Sequence, residues 1–135
     1  MKKLLIAVLI LTGSAFAQFG LKQDHVKIKS YLSFDKVYPA SEVKLAVKVN
    51  IEDTWHINSN KPYEDYLIPS QLSIDTTYFK LTKTVYPKPH DFKFDFSENA
   101  LSVYQEEIYI GALIETSDNI EPGEYKLIVN LDYQA

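Results

Sequence analysis

Three histidines, His25, His56 and His90, are the side chains best suited to metal binding or general base catalysis. No two of them have the spacing of a metal-ligand pair, and neither H-x-H nor H-E-x-x-H occurs. His56 follows Trp55 at the start of a short predicted strand, and we interpret it as an amphipathic sheet residue rather than a ligand or a base. A hydrolase that uses His56 with a carboxylate is the least favoured hypothesis. We predict no metal site and no cofactor.

Other catalytic groups are missing from the sequence. It has no cysteine, which excludes a disulfide, a thiolate metal site and a cysteine nucleophile within these 135 residues. No G-x-S-x-G or S-x-x-K motif activates a serine. The adjacent carboxylates Glu64-Asp65 and Glu106-Glu107 would point to opposite faces of a strand, so neither pair is a catalytic dyad. All 14 positive charges are lysines and the net charge is −4, which argues against a nucleic-acid partner.

A short aromatic segment follows the Pro87-Lys88-Pro89 sequence. In it, Phe92, Phe94 and Phe96 alternate with charged residues. The alternation is typical of a strand with its phenylalanines in the core. A loop bounded by prolines would instead offer three aromatic rings to cover a site or to contact a partner. The sequence leaves both interpretations open.

Residues Met1–Ala17 have the features of a cleaved signal peptide. Two lysines precede the apolar run Leu4–Leu11, and an A-x-A cleavage site ends at Ala17. The apolar run is far shorter than the roughly 20 residues that a membrane-spanning helix needs. We therefore predict export of a mature chain, Gln18–Ala135, with no membrane insertion. Loss of two lysines lowers its formal net charge from −4 to −6.

The rest of the sequence predicts strands, because hydrophobic and polar residues alternate with period two. Long runs cover 26–34, 43–51, 108–114 and 125–133, and shorter candidates cover 54–58, 70–74 and 78–86. About seven strands predict an all-β, immunoglobulin-like antiparallel β-sandwich, with a closed barrel as the alternative. Two longer irregular segments, Asn58–Pro69 and Pro87–Ala100, are predicted to be functional loops.

Several short motifs also occur in a characteristic order between Val26 and Ala135. They are Tyr38-Pro39, Trp55-His56-Ile57-Asn58-Ser59, Tyr86-Pro87-Lys88-Pro89, the aromatic segment, Val103-Tyr104-Gln105-Glu106 and Leu131-Asp132-Tyr133-Gln134-Ala135. Together they resemble the disulphide bond corrector family, the N-terminal periplasmic domains of DsbD-type thiol:disulfide interchange proteins. The resemblance implies an immunoglobulin-like sandwich located in the periplasm.

The resemblance also implies a function. Domains of this family use a cysteine pair to take electrons from a membrane-embedded donor domain. They pass these electrons to thioredoxin-like periplasmic proteins, such as disulfide isomerases and cytochrome c maturation factors. An aromatic loop caps the cysteines, and Phe92, Phe94 or Phe96 would be the cap here. The family motif would include Trp55, His56, Tyr104, Tyr133 and Gln134.

One feature departs from the family pattern. In the family, the redox cysteines follow the tyrosine-glutamine pair, whereas here Tyr133-Gln134 is followed by Ala135, the last residue. We therefore expect the sequence to be truncated just before a cysteine pair. The alternative is a non-catalytic exported β-sandwich that binds a protein or a glycan.

Overall fold

The computed structural model describes residues 24–75 and 77–135, which contain nine β-strands and no helix. The strands are β1 (Val26–Leu32), β2 (Glu42–Ile51), β3 (Ile57–Asn58), β4 (Gln71–Ile74), β5 (Phe79–Val85), β6 (His90–Phe92), β7 (Leu101–Tyr104), β8 (Glu107–Thr116) and β9 (Val129–Asp132). Within this part of the chain, no helix is long and apolar enough to cross a membrane. The predicted signal peptide, Met1–Ala17, lies outside the described residues. The predicted all-β class is confirmed.

The strands form three antiparallel sheets. A four-stranded sheet has the order β1-β2-β8-β5, a three-stranded sheet has the order β3-β7-β6, and β4 pairs with β9. Strands β2 and β8 are the centre of the largest sheet, and their side chains alternate between buried and accessible along the strand. This alternation follows directly from the period-two sequence pattern, because successive side chains point to opposite faces.

The hydrophobic core lies on the inner face of the four-stranded sheet. Strands β2 and β8 contribute a row of aliphatic side chains, and Leu72 and Ile74 of β4 join the same cluster. Val47, Val49, Ile110 and Ile114 have no exposed surface. Full burial of each such side chain stabilises the fold by roughly 1.5–3 kcal/mol. The arrangement is consistent with a β-sandwich.

The structure corrects several predicted strands. The predicted strand 54–58 is reduced to Ile57–Asn58, because a turn precedes it. In this turn Thr54 has a φ of 72° and the Trp55 amide donates to the Glu52 carbonyl at 3.0 Å. The predicted strand 125–133 is reduced to Val129–Asp132. Among the described residues there are nine strands rather than about seven, because β6 forms within the predicted loop Pro87–Ala100 and β7 forms where no strand was predicted. All four residues of β7 are buried, so its sequence carries no alternation.

Candidate functional site

An aromatic cluster consists of four rings: His56, which precedes β3, Phe92, which ends β6, and Phe94 and Phe96, which follow β6. The His56 and Phe94 rings stack with their centroids 4.1 Å apart. Phe94 also contacts Phe92 at 4.5 Å and Phe96 at 5.1 Å between centroids. Phe94 is therefore the central ring of the aromatic cluster.

The three phenylalanines are not part of the hydrophobic core. Phe92 ends β6 with 43% of its surface exposed, Phe96 is 75% exposed and Phe94 is half-buried. After Phe92 the chain leaves the sheet and turns, since the Ser97 amide donates to the Phe94 carbonyl at 3.2 Å. The core-strand interpretation of this segment is therefore wrong: Phe92 is exposed at the end of β6, and Phe94 and Phe96 lie on a surface loop.

His56 lies just before β3 and is half-buried against the Phe94 ring. Burial lowers the pKa of His56, because the charged imidazolium is poorly solvated there. The imidazole is therefore neutral at pH 7. Within residues 24–75 and 77–135, no hydrogen bond joins His56 to a carboxylate, so the catalytic pair of the hydrolase hypothesis is not assembled.

Tyr104 fixes the two long irregular loops to each other. Its side chain is fully buried in β7, opposite Ile57 of β3. The hydroxyl lies 2.7 Å from Asn60 Oδ1 and 3.1 Å from the Pro87 carbonyl oxygen, one in each loop. Burial raises the pKa of Tyr104, so the hydroxyl remains a hydrogen-bond donor at neutral pH.

A second hydrogen bond joins the same two loops. The Tyr63 hydroxyl donates to Asp91 Oδ1 at 2.6 Å. This hydrogen bond to Asp91 raises the pKa of Tyr63, because it favours the protonated phenol. Both loops predicted to be functional are therefore held beside the aromatic cluster.

Gln134 binds the free edge of β3. Its carbonyl accepts the Asn58 amide at 3.0 Å, and its Oε1 accepts both Asn58 Nδ2 at 3.0 Å and the Ile68 amide at 2.9 Å. Asn58 Nδ2 also donates to the Ile68 carbonyl at 3.0 Å. These bonds hold Gln134 against Asn58, which lies two residues along the chain from His56.

Two other residues of the predicted motif, Trp55 and Tyr133, contact the N-terminal segment instead, that is, residues 24 and 25. The Trp55 indole stacks on the His25 ring with centroids 3.6 Å apart, and His25 Nδ1 lies 2.6 Å from Glu52 Oε2. The Tyr133 hydroxyl donates to Asp24 Oδ1 at 3.0 Å. The structure therefore brings His56 into contact with the phenylalanines. Tyr104 and Gln134 hold the neighbouring loops and β3, whereas Trp55 and Tyr133 contact the N-terminal segment.

Buried polar residues that the sequence analysis did not single out also hold this end of the molecule. Ser59 and Ser102 share a buried hydrogen bond of 2.8 Å between their hydroxyl groups, and the Ser70 hydroxyl donates to the Asn58 carbonyl at 2.5 Å. The run Asn58-Ser59-Asn60 directly after a buried isoleucine is the signal that could have indicated them. In the described part of the chain, no group of three acidic, histidine or cysteine side chains could hold a metal ion.

Comparisons of the chain with protein-family models, with curated proteins and with solved structures found no match. Membership of the disulphide bond corrector family therefore stays a prediction from the motifs.

Proposed function

We propose that this chain is an exported, immunoglobulin-like relay domain that passes reducing equivalents in the periplasm. A membrane-embedded donor domain would supply the electrons, and thioredoxin-like periplasmic proteins would accept them. The signal peptide Met1–Ala17 would direct export. The redox cysteine pair would follow Ala135.

The relation of the aromatic cluster to Gln134 carries the proposal. Gln134 is hydrogen-bonded to Asn58 of β3, two residues after His56, and the His56 ring stacks on Phe94. Two residues of extended chain span about 7 Å, so a cysteine directly after Ala135 would begin within that distance of Gln134, which is attached to Asn58, two residues from His56. A cap for such a cysteine has to be a partly exposed ring on a loop held by its neighbours, and Phe94 and Phe96 meet these conditions.

The chemistry of the relay would be thiol–disulfide exchange. One thiolate of the pair attacks the disulfide of the acceptor protein and forms a mixed disulfide, which the second thiolate then resolves. The relay domain's two thiols lose two electrons and two protons and become a disulfide, while the acceptor's disulfide becomes two thiols. His56 is neutral at pH 7, so it would contribute an apolar surface next to the thiols rather than a positive charge.

The proposal is tested with the chain continued past Ala135 by its natural residues. After reduction, this protein should reduce an oxidised thioredoxin-like protein in a one-to-one ratio. A variant with the second cysteine replaced by serine should be trapped as a mixed disulfide. The same chain with its thiols alkylated beforehand is the control. An acceptor that remains oxidised in the presence of the reduced chain would refute the proposal.

A second candidate function, the binding of a protein or a glycan without redox chemistry, rests on exposed aromatic side chains. Tyr63 is 61% exposed, Tyr66 is 78% exposed and Phe96 is 75% exposed, and all three belong to the two irregular loops. Tyrosine and phenylalanine side chains are enriched in protein interfaces, and the tyrosine hydroxyl can also form a hydrogen bond. This function needs no cysteine, so a protein that lacks thiols but binds a ligand through these loops would favour it.

A further inference from the structure

A groove of about 520 Å³ crosses the outer face of the four-stranded sheet, on the side away from the hydrophobic core. Its floor contains Ala46 of β2 and Gly111 of β8, which are cross-strand partners. Tyr31 pairs with Ala46 and Val85 pairs with Gly111, so these two larger side chains stand at the ends of the same row. The groove therefore runs across the strands from β1 to β5.

Gly111 keeps the floor of this groove open although the fold does not require glycine there. Its φ angle is not positive, so the backbone conformation suits any residue. A Cβ at this position would meet only Val85 Cβ, at the ordinary contact distance of 3.9 Å. Glycine in the interior of a strand weakens the strand and often marks a place where a ligand or another backbone comes close.

A β-bulge in β5 turns two side chains toward the groove. The pairing of β5 with β8 shifts between Leu81 and Lys83, which leaves Thr82 as the extra residue. Leu81 packs against the core, whereas Lys83 and Val85 line the groove on the opposite face. Bulges commonly re-aim side chains next to functional sites.

Lysines border the apolar row on both sides. Lys44 and Lys83 both pair with Leu113, one from each neighbouring strand, and line one side of the groove. On the other side of the row, Lys48 forms an ion pair of 2.7 Å with Glu107. Lys44 and Lys83 form no ion pair with any residue in the described ranges. Glu42 and Glu115 pair with each other in the next row of the same face, beyond Leu113. Lys44 and Lys83 are the charged side chains that line the groove itself, and two ammonium groups beside an apolar row favour an anionic ligand.

We propose that this groove binds a free fatty acid, that is, a single-chain carboxylate. The carboxylate would lie over Leu113 between the ammonium groups of Lys44 and Lys83. The alkyl chain would follow the row from Val85 toward Tyr31, over a length of about 14 Å for three strand spacings. The volume and the mainly apolar lining are those of a small-molecule site. A second copy of the chain is a less favourable occupant, because the lysines of two identical faces would repel each other.

The binding is tested with the chain in solution and dodecanoate below its micelle concentration. Dodecanoate should shift the amide NMR signals of residues 44–46, 83–85 and 111–113, and titration calorimetry gives its affinity. The double variant Lys44→Gln/Lys83→Gln should bind about tenfold more weakly, as expected for two partly solvated ion pairs. Gly111→Leu, which fills the floor, should abolish binding. Lys88→Gln/Lys126→Gln, which removes two lysines that do not line the groove, is the control and should bind like the parent chain.

Several results would overturn the proposal. Unchanged affinity in Lys44→Gln/Lys83→Gln would show that the lysines do not hold the carboxylate. Equal binding of dodecyltrimethylammonium would indicate nonspecific hydrophobic contact. Binding to phosphatidylglycerol vesicles without binding of free dodecanoate would identify a membrane surface as the occupant. Sedimentation of the ligand-free chain as a dimer that Gly111→Leu dissociates would identify a second copy.

Discussion

Removing the Tyr104 hydroxyl should weaken the attachment of both irregular loops to the sheet. In Tyr104→Phe the buried ring remains, while the hydrogen bonds to Asn60 Oδ1 at 2.7 Å and to the Pro87 carbonyl at 3.1 Å are lost. The change therefore tests whether this hydroxyl holds the loops beside the aromatic cluster.

The expected loss of stability is small but measurable. A hydroxyl has one proton, so it donates to one of its two acceptors at a time, and a neutral hydrogen bond contributes about 1 kcal/mol net. Asn60 and Pro87 are only half-buried, so water can reach the acceptors after the substitution and limits the penalty. We expect the free energy of unfolding to fall by about 1 kcal/mol and the melting temperature to fall by about 4 °C.

Urea denaturation of the parent chain and of Tyr104→Phe measures this change, with Tyr109→Phe as the matched control. The Tyr109 hydroxyl donates to Glu107 Oε1 at 3.0 Å on the exposed face of β8, so its loss should cost less than about 0.5 kcal/mol. Amide hydrogen exchange should also accelerate in Asn58–Pro69 and Pro87–Ala100 in Tyr104→Phe alone.

A double-mutant cycle with Asn60→Ala separates the hydrogen bond from other effects of the substitution. If the Tyr104–Asn60 contact is as described, the two changes together should cost about 0.5–1 kcal/mol less than the sum of the single changes. Strict additivity, together with unchanged exchange in both loops, would refute the reasoning.

Three further predictions concern the aromatic cluster and the groove. Burial lowers the pKa of His56 in the folded state, so the unfolded chain takes up the proton first and the free energy of unfolding should fall as the pH drops below about 6.5. Urea denaturation at several pH values should show that this free energy falls less steeply in His56→Phe than in the parent chain. The control His90→Phe, which replaces an exposed histidine, should not reduce the slope. In thermal melts, Phe94→Ala should lower the free energy of unfolding by about 2 kcal/mol and Phe96→Ala by less than about 0.5 kcal/mol. A larger loss in Phe96→Ala than in Phe94→Ala would contradict the central position of Phe94. Gly111→Ala should leave stability unchanged or raise it by up to about 1 kcal/mol, and a clear loss would mean that glycine is required there.

Strands with one buried face could be predicted from the sequence, because alternation records which side chains enter the core. The long strands β2 and β8 agree with their predicted positions for this reason. Leu101–Tyr104 is buried throughout, and His90–Phe92 is exposed throughout, so neither has an alternating pattern. The positive φ of Thr54, which shortens the strand predicted at 54–58, is also invisible in a pattern of hydrophobicity.

The candidate site could be predicted only in part. The sequence indicated an aromatic segment and two irregular loops, but not which residues contact the phenylalanines. His56 stacks on Phe94 across 38 positions of sequence, and Asn58 binds Gln134 across 76 positions. Such contacts depend on the pairing of distant strands, and a local pattern carries no information about that pairing.

The codons that follow Ala135 in the gene decide between a relay domain with redox cysteines and a binding domain. We predict a cysteine codon immediately after Ala135 and a second within about ten codons, since the two thiols must come close enough to form a disulfide. A stop codon, or a continuing sequence without cysteine, would contradict the relay function and favour a binding domain.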